Sequence, residues 1–260
     1  MAENAGRLAN KVALITGATG GIGSATAARF LEEGARVMLV DRDEDELVRT
    51  WERLGSPSRA AHAAADAADE EATRAAIGAA VQTFGGLDIT FANAGTEGAA
   101  APIEAQDLAD VETVLRVNVI GVWLAIKHSV EPMRTRGGGS IIATSSAAGV
   151  IGFPNLSPYV ASKHAVIGLV RTAAAELGAS GIRVNAINPG PIDNRMMRSL
   201  ESQISPDDPE GAKAGISSGI ALRRYGTNED VANLALFLAS DEAANSTGAV
   251  HLTDGGYTAV

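Results

Sequence analysis

The sequence contains no cysteine, and aromatic residues make up only 4% of its 260 residues. Without cysteine the chain can form neither a disulfide framework nor a cysteine zinc site, and it has no thiolate nucleophile. It also lacks an uncharged apolar run of about eighteen residues, the length of a membrane-spanning helix. The first residues, MAENAGRLANK, lack the apolar core that a secretory signal peptide carries. We therefore expect a cytoplasmic protein with no membrane partner.

Positive charge is scarce as well, because 31 acidic residues outnumber 21 Lys and Arg and the formal net charge is −10. This charge repels nucleic-acid phosphates and anionic lipid headgroups, and no cluster of basic residues offsets it locally. The four histidines are scattered, with no acidic partner at a ligand spacing. The sequence therefore predicts no nucleic-acid partner and no bound metal.

Short runs rich in Val, Ile and Leu alternate along the chain with longer helical patterns. The predicted strands cover residues 11–16, 36–40, 60–65, 87–92, 139–144, 182–187 and 249–253. The predicted helices cover residues 22–33, 43–54, 69–84, 105–136 with possible breaks, 158–179 and 228–239. This alternation is typical of an α/β fold, a doubly wound parallel sheet of the Rossmann type with about seven strands and helices on both faces.

No Pro-, Ser- or Gly-rich linker is long enough to separate two domains, so we expect one nucleotide-binding and catalytic domain over residues 1–260. The exception to the regular alternation is the segment 191–221, which mixes Pro, Gly and acidic residues. A long irregular insert in a compact domain is typical of a lid or binding loop. We expect this segment to be a substrate loop.

A glycine-rich loop, TGATGGIG, follows the first predicted strand and opens a helix. Glycines at Gly17, Gly21 and Gly23 would let backbone N–H groups approach a pyrophosphate at the positive end of the helix. Their spacing is one residue wider at the front than the general dinucleotide pattern G-x-G-x-x-G. The alternative is an ordinary turn between strand and helix.

Asp41 stands eighteen residues beyond Gly23, directly after the apolar run RVMLV. An acid at about this distance receives the ribose hydroxyls of the adenosine half of a dinucleotide. A carboxylate there repels the 2′-phosphate of NADP and favours NAD, although Arg42 could pair with such a phosphate. The alternative is that Asp41 caps the next helix.

Two further strand ends carry weaker candidates. Asp66, after the third predicted strand, either contacts the adenine ring or caps a helix. Asn93, Ala94 and Gly95 close the fourth strand, where the glycine would let the backbone lie against a cofactor. The alternative for these three residues is a plain turn.

The sequence pattern of most chemical interest is a Ser, Tyr and Lys set. Ser157 and Pro158 mark a helix start, which places Tyr159 and Lys163 four residues apart on one face.

Using a phenol as a base near pH 7 needs a pKa shift of about three units, or roughly 4 kcal/mol. An ammonium about 4 Å away supplies about 4 kcal/mol at an effective dielectric near 20. Ser146, at the end of the fifth strand, would hold the substrate oxygen. By itself, such a Tyr and Lys spacing is more often a surface pair.

Taken together these motifs resemble those of the short-chain dehydrogenase/reductase family, and the resemblance runs from Lys11 to Tyr257. The matching residues are Thr16, Gly17, Gly21, Gly23, Asn93, Ala94, Gly95, Asn118, Ser146, Tyr159, Lys163, Pro189 and Gly190. The resemblance implies that Tyr159 is the acid/base and that Ser146 orients the substrate oxygen. It also implies that Lys163 lowers the tyrosine pKa and binds the nicotinamide ribose, and that Asn118 holds a proton-relaying water. Ser146 is chosen over Ser145 because the family serine stands thirteen residues before the tyrosine.

The same resemblance implies an NAD cofactor and a homotetramer. The implied cofactor contacts are Gly17, Thr19, Gly21, Ile22, Gly23, Asp41, Asp66, Ala67, Asn93, Ala94, Gly95, Tyr159, Lys163, Pro189, Gly190, Ile192 and Asn194. Among these, the backbone of Ile192 matches the position that meets the nicotinamide carboxamide. Two residues depart from the family pattern, since Ala92 stands where an Asn is common and Asn194 where a Thr is usual.

The function that these features predict is hydride transfer between NAD(H) and a secondary alcohol or ketone. An apolar or cyclic substrate is expected, because the residues assigned to the pocket are apolar. They are Ala147, Ala148, Ile151, Pro191, Met196, Met197 and Leu200. The alternatives are an NADPH-linked 3-oxoacyl-type reductase and a non-catalytic dinucleotide-binding regulatory protein.

Overall fold

The computed structural model describes residues 6–259, in which seven strands form one sheet with all neighbouring strands parallel. The strands are β1 (Val12–Thr16), β2 (Arg36–Asp41), β3 (Ala60–Ala64), β4 (Ile89–Ala92), β5 (Gly139–Thr144), β6 (Ile182–Pro189) and β7 (Val250–Thr253). Their order across the sheet is β3-β2-β1-β4-β5-β6-β7. The predicted doubly wound fold is therefore confirmed.

Helices cover both faces of the sheet. They are α1 (Gly21–Glu32), α2 (Glu44–Arg53), α3 (Glu70–Phe84), α4 (Leu108–Leu115), α5 (Gly121–Thr135), α6 (Ser157–Leu177), α7 (Arg195–Ile204), α8 (Pro209–Ser218) and α9 (Asn228–Ala239). A π-helical turn, Arg116–Ile120, separates α4 from α5 and accounts for a break in the long helix predicted over residues 105–136.

The segment 191–221 differs from its prediction, because it contains the two helices α7 and α8 rather than an irregular loop. Local capping explains the difference. The side chain of Asn194 accepts hydrogen bonds from the first turn of α7, and the side chain of Asp208 accepts one from the first turn of α8. Pro209 is also tolerated at the start of α8. Polar and helix-breaking residues thus begin these helices instead of preventing them.

The central strands are apolar throughout because both faces of the sheet are buried. In β1, Ile15 packs into a core with residues of α1, α2 and α9, whereas its neighbour Leu14 packs into a core with residues of α3, α5 and α6. In β2, Leu39 packs into the first of these cores and its neighbour Met38 packs into the second. This alternation explains why the strand sequences read as continuous apolar runs.

The order of the strands positions the site. The chain leaves β1 toward β2 on one side and later returns with β4 on the other side of β1. At such a switch point the loops after neighbouring strands diverge and leave a crevice at the carboxyl ends, where doubly wound folds bind ligands. The loops after β1, β4, β5 and β6 border this crevice.

Within residues 6–259, the helices are too short or too polar for any of them to span a membrane. The same residues contain no group of three or more His, Asp or Glu side chains arranged to hold a metal ion.

Strand β4 lies in the middle of the sheet, and its residue Phe91 should contribute strongly to the free energy of unfolding. Phe91 is 0% exposed and packs in the core between the sheet and its helices. We expect Phe91→Ala to lower the free energy of unfolding by about 3–5 kcal/mol, because it leaves a cavity that the surroundings fill only in part. Phe237→Ala, at a side chain that is 37% exposed, is the control. Chemical unfolding at equal protein concentrations measures both, and equal losses would contradict the prediction.

Candidate active site

The glycine loop joins β1 to α1 and leaves the start of that helix open. Gly17 has a φ of +64°, and a Cβ there would lie 2.8 Å from the Cα of Ala94. A Cβ on Gly23 would lie 2.1 Å from the carbonyl oxygen of Gly17. Both positions therefore require glycine. Gly20, which precedes α1, provides no side-chain cap, so the first N–H groups of the helix are available to an anion.

Asp41 ends β2 beside this loop. Its Oδ2 accepts hydrogen bonds from the backbone N–H and the hydroxyl of Thr19, at 3.1 and 2.6 Å, and its Oδ1 accepts from the N–H of Arg42 at 2.8 Å. The N-cap of α2 is Asp43, whose side chain accepts from the N–H of Glu46. The alternative that Asp41 caps this helix is therefore wrong. A carboxylate stands instead at the edge of the crevice, held by the glycine loop.

Asp66 follows β3 and is exposed. Its Oδ1 accepts a hydrogen bond from the N–H of Ala68 at 2.9 Å, whereas the N-cap of α3 is Asp69. The alternative that Asp66 caps a helix is therefore wrong as well. The carbonyl oxygen of Ala67 lies against α5, where a Cβ on Gly121 would come within 3.2 Å of it. Contact of Asp66 or Ala67 with a cofactor stays a prediction.

The turn after β4 holds the ends of three strands together. The side-chain amide of Asn93 donates to the carbonyl oxygens of Thr16 and Gly17, at 3.2 and 3.3 Å, and its Oδ1 accepts from the hydroxyl of Thr144 at 3.1 Å. The N–H groups of Asn93 and Ala94 both donate to Oγ1 of Thr16, at 3.0 and 3.1 Å. The floor of the crevice is therefore cross-linked between β1, β4 and β5, which a plain turn would not achieve.

Asn118 is fully buried in the π-helical turn between α4 and α5. Its Nδ2 donates to the carbonyl oxygen of Thr96 at 2.9 Å and to the hydroxyl of Ser162 at 3.0 Å, and its Oδ1 accepts from the N–H of Thr96 at 2.8 Å. Both amide hydrogens are thus used inside the protein. A water on this side chain would have to donate to Oδ1, and the relay role of Asn118 stays a prediction.

The two serines after β5 differ in their contacts. Ser145 is 1% exposed, and its hydroxyl donates to the carbonyl oxygen of Lys163 at 2.9 Å. Ser146 is half-buried, and its Oγ accepts from the N–H of Ala148 at 3.1 Å at the start of a short helical turn. The hydroxyl of Ser146 is also close enough to the phenol of Tyr159 to lower the pKa of that phenol. The hydroxyl of Ser145 is therefore used in a buried hydrogen bond, whereas Ser146 lies beside the tyrosine.

Tyr159 and Lys163 lie one turn apart on the same face of α6. The helix begins at Ser157 with Pro158 in its first turn, as predicted. Nζ of Lys163 lies 5.5 Å from the centre of the Tyr159 ring and donates to the carbonyl oxygen of Thr144, the last residue of β5, at 2.8 Å. Within the described part of the chain this is the only hydrogen bond of the ammonium, so two of its N–H groups remain for a ligand.

Burial dominates the electrostatics of this pair. It raises the pKa of the Tyr159 phenol above its usual value, while the hydrogen bond with Ser146 lowers that pKa and the negative charge of Glu97 raises it further. Burial also lowers the pKa of Lys163 to about 8. The net direction for Tyr159 is opposite to the lowering that the sequence predicts. Desolvation disfavours the charged form of each group, and it is the largest cause of both pKa shifts.

The segment after β6 completes the border of the crevice. The N–H of Gly190 donates to the carbonyl oxygen of Thr253 at 3.2 Å, and Ile192, which is 3% exposed, forms a parallel bridge with Gly226. Oδ1 of Asn194 accepts from two N–H groups in the first turn of α7, at 3.0 and 3.4 Å. Asn194 thus serves as a helix cap, and its contact with a cofactor stays a prediction.

Sequence reasoning missed one acidic residue of this site. Glu97 is 7% exposed, and its charge reaches the phenol of Tyr159. The available signal was an isolated acid in the run TEGAAAP, directly after the turn that closes β4. A lone acid in a loop is normally solvated, so its burial could not be read from the sequence.

Known proteins resemble this chain along nearly its whole length. A family model described as enoyl-(acyl carrier protein) reductase matches residues 17–258. A levodione reductase of Leifsonia aquatica is 36% identical over 97% of this chain and 96% of its own length. A cis-4-hydroxycyclohexanecarboxylate dehydrogenase of Sinomonas cyclohexanicum is 38% identical over 97% of this chain and 98% of its own length.

Solved structures match equally well. The crystal structure of a levodione reductase superimposes with a TM-score of 0.94 at 35% identity, covering 97% of this chain and 99% of that one. The structure of an NAD⁺-bound xylitol dehydrogenase has a TM-score of 0.91 at 34% identity, covering 96% of this chain and 99% of that one. With its glycine loop, its Ser, Tyr and Lys set and these matches along nearly its whole length, the chain belongs to the short-chain dehydrogenase/reductase family.

Proposed function

We propose that this oxidoreductase transfers a hydride between NAD(H) and the hydroxyl-bearing carbon of a secondary alcohol, and that its substrates are apolar or cyclic. The observation that carries the proposal is the joint position of Ser146, Tyr159 and Lys163 beside the opening of the glycine loop. A group that moves a proton and a loop that accepts a pyrophosphate thus border one crevice. A relative named for a hydroxycyclohexane substrate supports the cyclic class.

The residues of the crevice fit a dinucleotide. The uncapped N-terminus of α1 suits a pyrophosphate, and side chains at Gly17 and Gly23 would collide with the neighbouring backbone. The carboxylate of Asp41 would accept the adenosine ribose hydroxyls and would repel a 2′-phosphate, which favours NAD over NADP. The two remaining N–H groups of Lys163 would bind the nicotinamide ribose. Bound NAD supplies the carbon that takes up or gives back the hydride.

The protein's own residues handle the proton. In alcohol oxidation the hydroxyl of Ser146 holds the substrate oxygen while the phenolate oxygen of Tyr159 takes up its proton. In ketone reduction the same phenol donates a proton to the oxygen. Because burial raises the pKa of Tyr159, the protonated phenol prevails at neutral pH in the protein alone. The positive charge of Lys163 favours the phenolate and thereby assists oxidation.

Apolar side chains support the proposed substrate class. Ala147 and Ala148, directly after Ser146, are each 2% exposed, and Leu200 of α7 is 7% exposed. We infer that Ala147 and Ala148, the two residues after Ser146, exclude water from one side of its hydroxyl. Excluding water strengthens the electrostatic interactions that hold a reacting oxygen.

The acyl-carrier alternative has the description of the matching family model in its favour. Two features of this chain oppose it. The loop TGATGGIG contains no basic residue to pair with the 2′-phosphate of NADPH, and the net charge of −10 repels an acidic carrier protein.

Three further proposals concern the whole protein. We propose one domain over residues 1–260, a cytoplasmic location and a homotetramer. Exposed apolar side chains support the assembly, since Trp123 of α5 is 43% exposed and Leu252 of β7 is 48% exposed.

Removing the phenol tests the acid/base assignment. We expect Tyr159→Phe to lower kcat/KM for alcohol oxidation by at least about 100-fold, because the proton loses its acceptor. Calorimetric titration should show that NAD binding survives. Tyr225→Phe, which removes another largely buried hydroxyl, is the control and should retain most of the turnover. Near-normal rates for Tyr159→Phe would refute the assignment.

Neutralising Asp41 tests the cofactor preference. Asp41→Asn keeps an acceptor for Thr19 but removes the negative charge. We expect the ratio of kcat/KM for NADP to that for NAD to rise by about tenfold or more, the effect of about 1.4 kcal/mol. Asp43→Asn, two residues along, makes the same chemical change at the cap of α2 and should leave the ratio unchanged. An unaltered ratio for Asp41→Asn would mean that its charge does not select the cofactor.

The pH dependence follows from the raised pKa of Tyr159. Below that pKa the phenolate fraction grows by about tenfold per pH unit. We therefore expect kcat/KM for oxidation to rise between pH 6 and pH 8, because Lys163, with a pKa of about 8, is mostly charged below pH 8 and half charged at pH 8. Ketone reduction, which needs the protonated phenol, should not rise over this range. Initial rates at saturating cofactor measure both directions, and a flat oxidation profile would contradict the proposal.

A further inference from the structure

Glu97 is a largely buried acidic residue that the proposed proton transfer does not use. The residue is 7% exposed. Within residues 6–259 its carboxylate oxygens accept no hydrogen bond, and neither oxygen is enclosed without a partner, so both remain accessible. Its one charged neighbour in that range is Arg195, whose Nη1 lies 3.6 Å from Oε1 and whose side chain is 78% exposed. An accessible carboxylate that accepts no hydrogen bond from the protein can accept one from a bound molecule.

The loop around Glu97 is held on both sides. Asn118 binds both the N–H and the carbonyl oxygen of Thr96, at 2.8 and 2.9 Å, as a neighbouring strand would. On the other side, Gly98 has a φ of +71°, and a Cβ there would lie 2.6 Å from Cγ2 of Val114. The backbone on both sides of Glu97 is therefore held in place by its neighbours.

This positioning places Glu97 beside the reacting groups. Asn118 also donates to the hydroxyl of Ser162 at 3.0 Å, and that hydroxyl donates to the carbonyl oxygen of Tyr159 at 2.7 Å. A Cβ on Gly95, two residues before Glu97, would lie 3.5 Å from Nζ of Lys163. The negative charge of Glu97 is close enough to raise the pKa of the Tyr159 phenol. The carboxylate thus lies within electrostatic reach of the bond that reacts.

We propose that Glu97 determines substrate specificity by accepting a hydrogen bond from a second hydroxyl of the substrate, so that a cyclic diol is preferred over a cyclic alcohol with one hydroxyl. The inference rests on the proposed function and refines its substrate class. A hydroxyl suits this carboxylate better than a cation does, because Arg195 already offsets part of its charge. A substrate carboxylate at the same place would be repelled.

The contact with Arg195 leaves the carboxylate of Glu97 able to accept a hydrogen bond. The separation of 3.6 Å exceeds that of a hydrogen bond, and the arginine side chain is mostly in solvent. Ion pairs with a mostly exposed partner contribute little to stability. Removing Arg195 therefore separates a pairing role of Glu97 from a substrate-binding role.

The test compares cyclohexanol with the 1,2-, 1,3- and 1,4-cyclohexanediols as substrates for NAD-linked oxidation by the full-length protein. We expect the wild type to prefer at least one diol over cyclohexanol in kcat/KM. Glu97→Met, which has no acceptor, should lower kcat/KM for that diol by about tenfold or more, mainly through KM, because a charge-assisted hydrogen bond is lost. The kcat/KM of the same variant for cyclohexanol should fall by a smaller factor than its kcat/KM for the diol.

Two further variants complete the test. Glu97→Gln keeps a neutral acceptor oxygen and should retain part of the diol preference, and it replaces the Met variant if that protein does not fold. Arg195→Gln should leave the ratio of diol to cyclohexanol rates unchanged. Parallel losses with both substrates in the Glu97 variants, or no diol preference in the wild type, would overturn this inference while the proposed function stands. No NAD-linked turnover of any of these alcohols would overturn the proposed function and this inference with it.

Discussion

The site depends on one hydrogen bond, which Nζ of Lys163 donates to the carbonyl oxygen of Thr144 at 2.8 Å. It joins a turn of α6 to the end of β5, and the hydroxyl of Ser145 strengthens the same junction by donating to the carbonyl oxygen of Lys163. Tyr159 lies one helical turn before Lys163, and Ser146 lies two residues after Thr144. A single helix–strand contact therefore brings together three side chains from two separate segments.

The burial of Tyr159 and Lys163 disfavours the charged form of each side chain. It raises the pKa of Tyr159 and lowers that of Lys163 to about 8, so the protein alone favours a neutral phenol. Forming the phenolate consequently depends on positive charge near the ring. Glu97 raises the pKa of Tyr159 further, because its negative charge disfavours the phenolate. A hydroxyl that donates to Glu97 would spread that charge, which links substrate binding to the acidity of Tyr159 in the proposed scheme.

The strands and most helices could be predicted because their signals are local. Residues 139–144 read as a buried strand, and β5 has those bounds. Helices α7 and α8 could not be predicted in the same way, since Pro, Gly and acidic residues are typical of loops unless they stand at helix starts. The helix-cap alternatives for Asp41 and Asp66 failed for a related reason. Asp43 and Asp69 stand closer to the first helical turns and cap them instead.

The sequence by itself determined which chemical groups are present and how they are spaced along each element. Four residues along a helix place Tyr159 and Lys163 on one face wherever that helix packs, and the glycines set where the chain can turn. Only the tertiary structure decided how far each group is removed from water. That quantity depends on loops distant in sequence, such as the one that carries Glu97, and it sets the sign of the pKa shift at Tyr159. Spacing is a property of the local backbone, whereas desolvation is a property of the packed molecule.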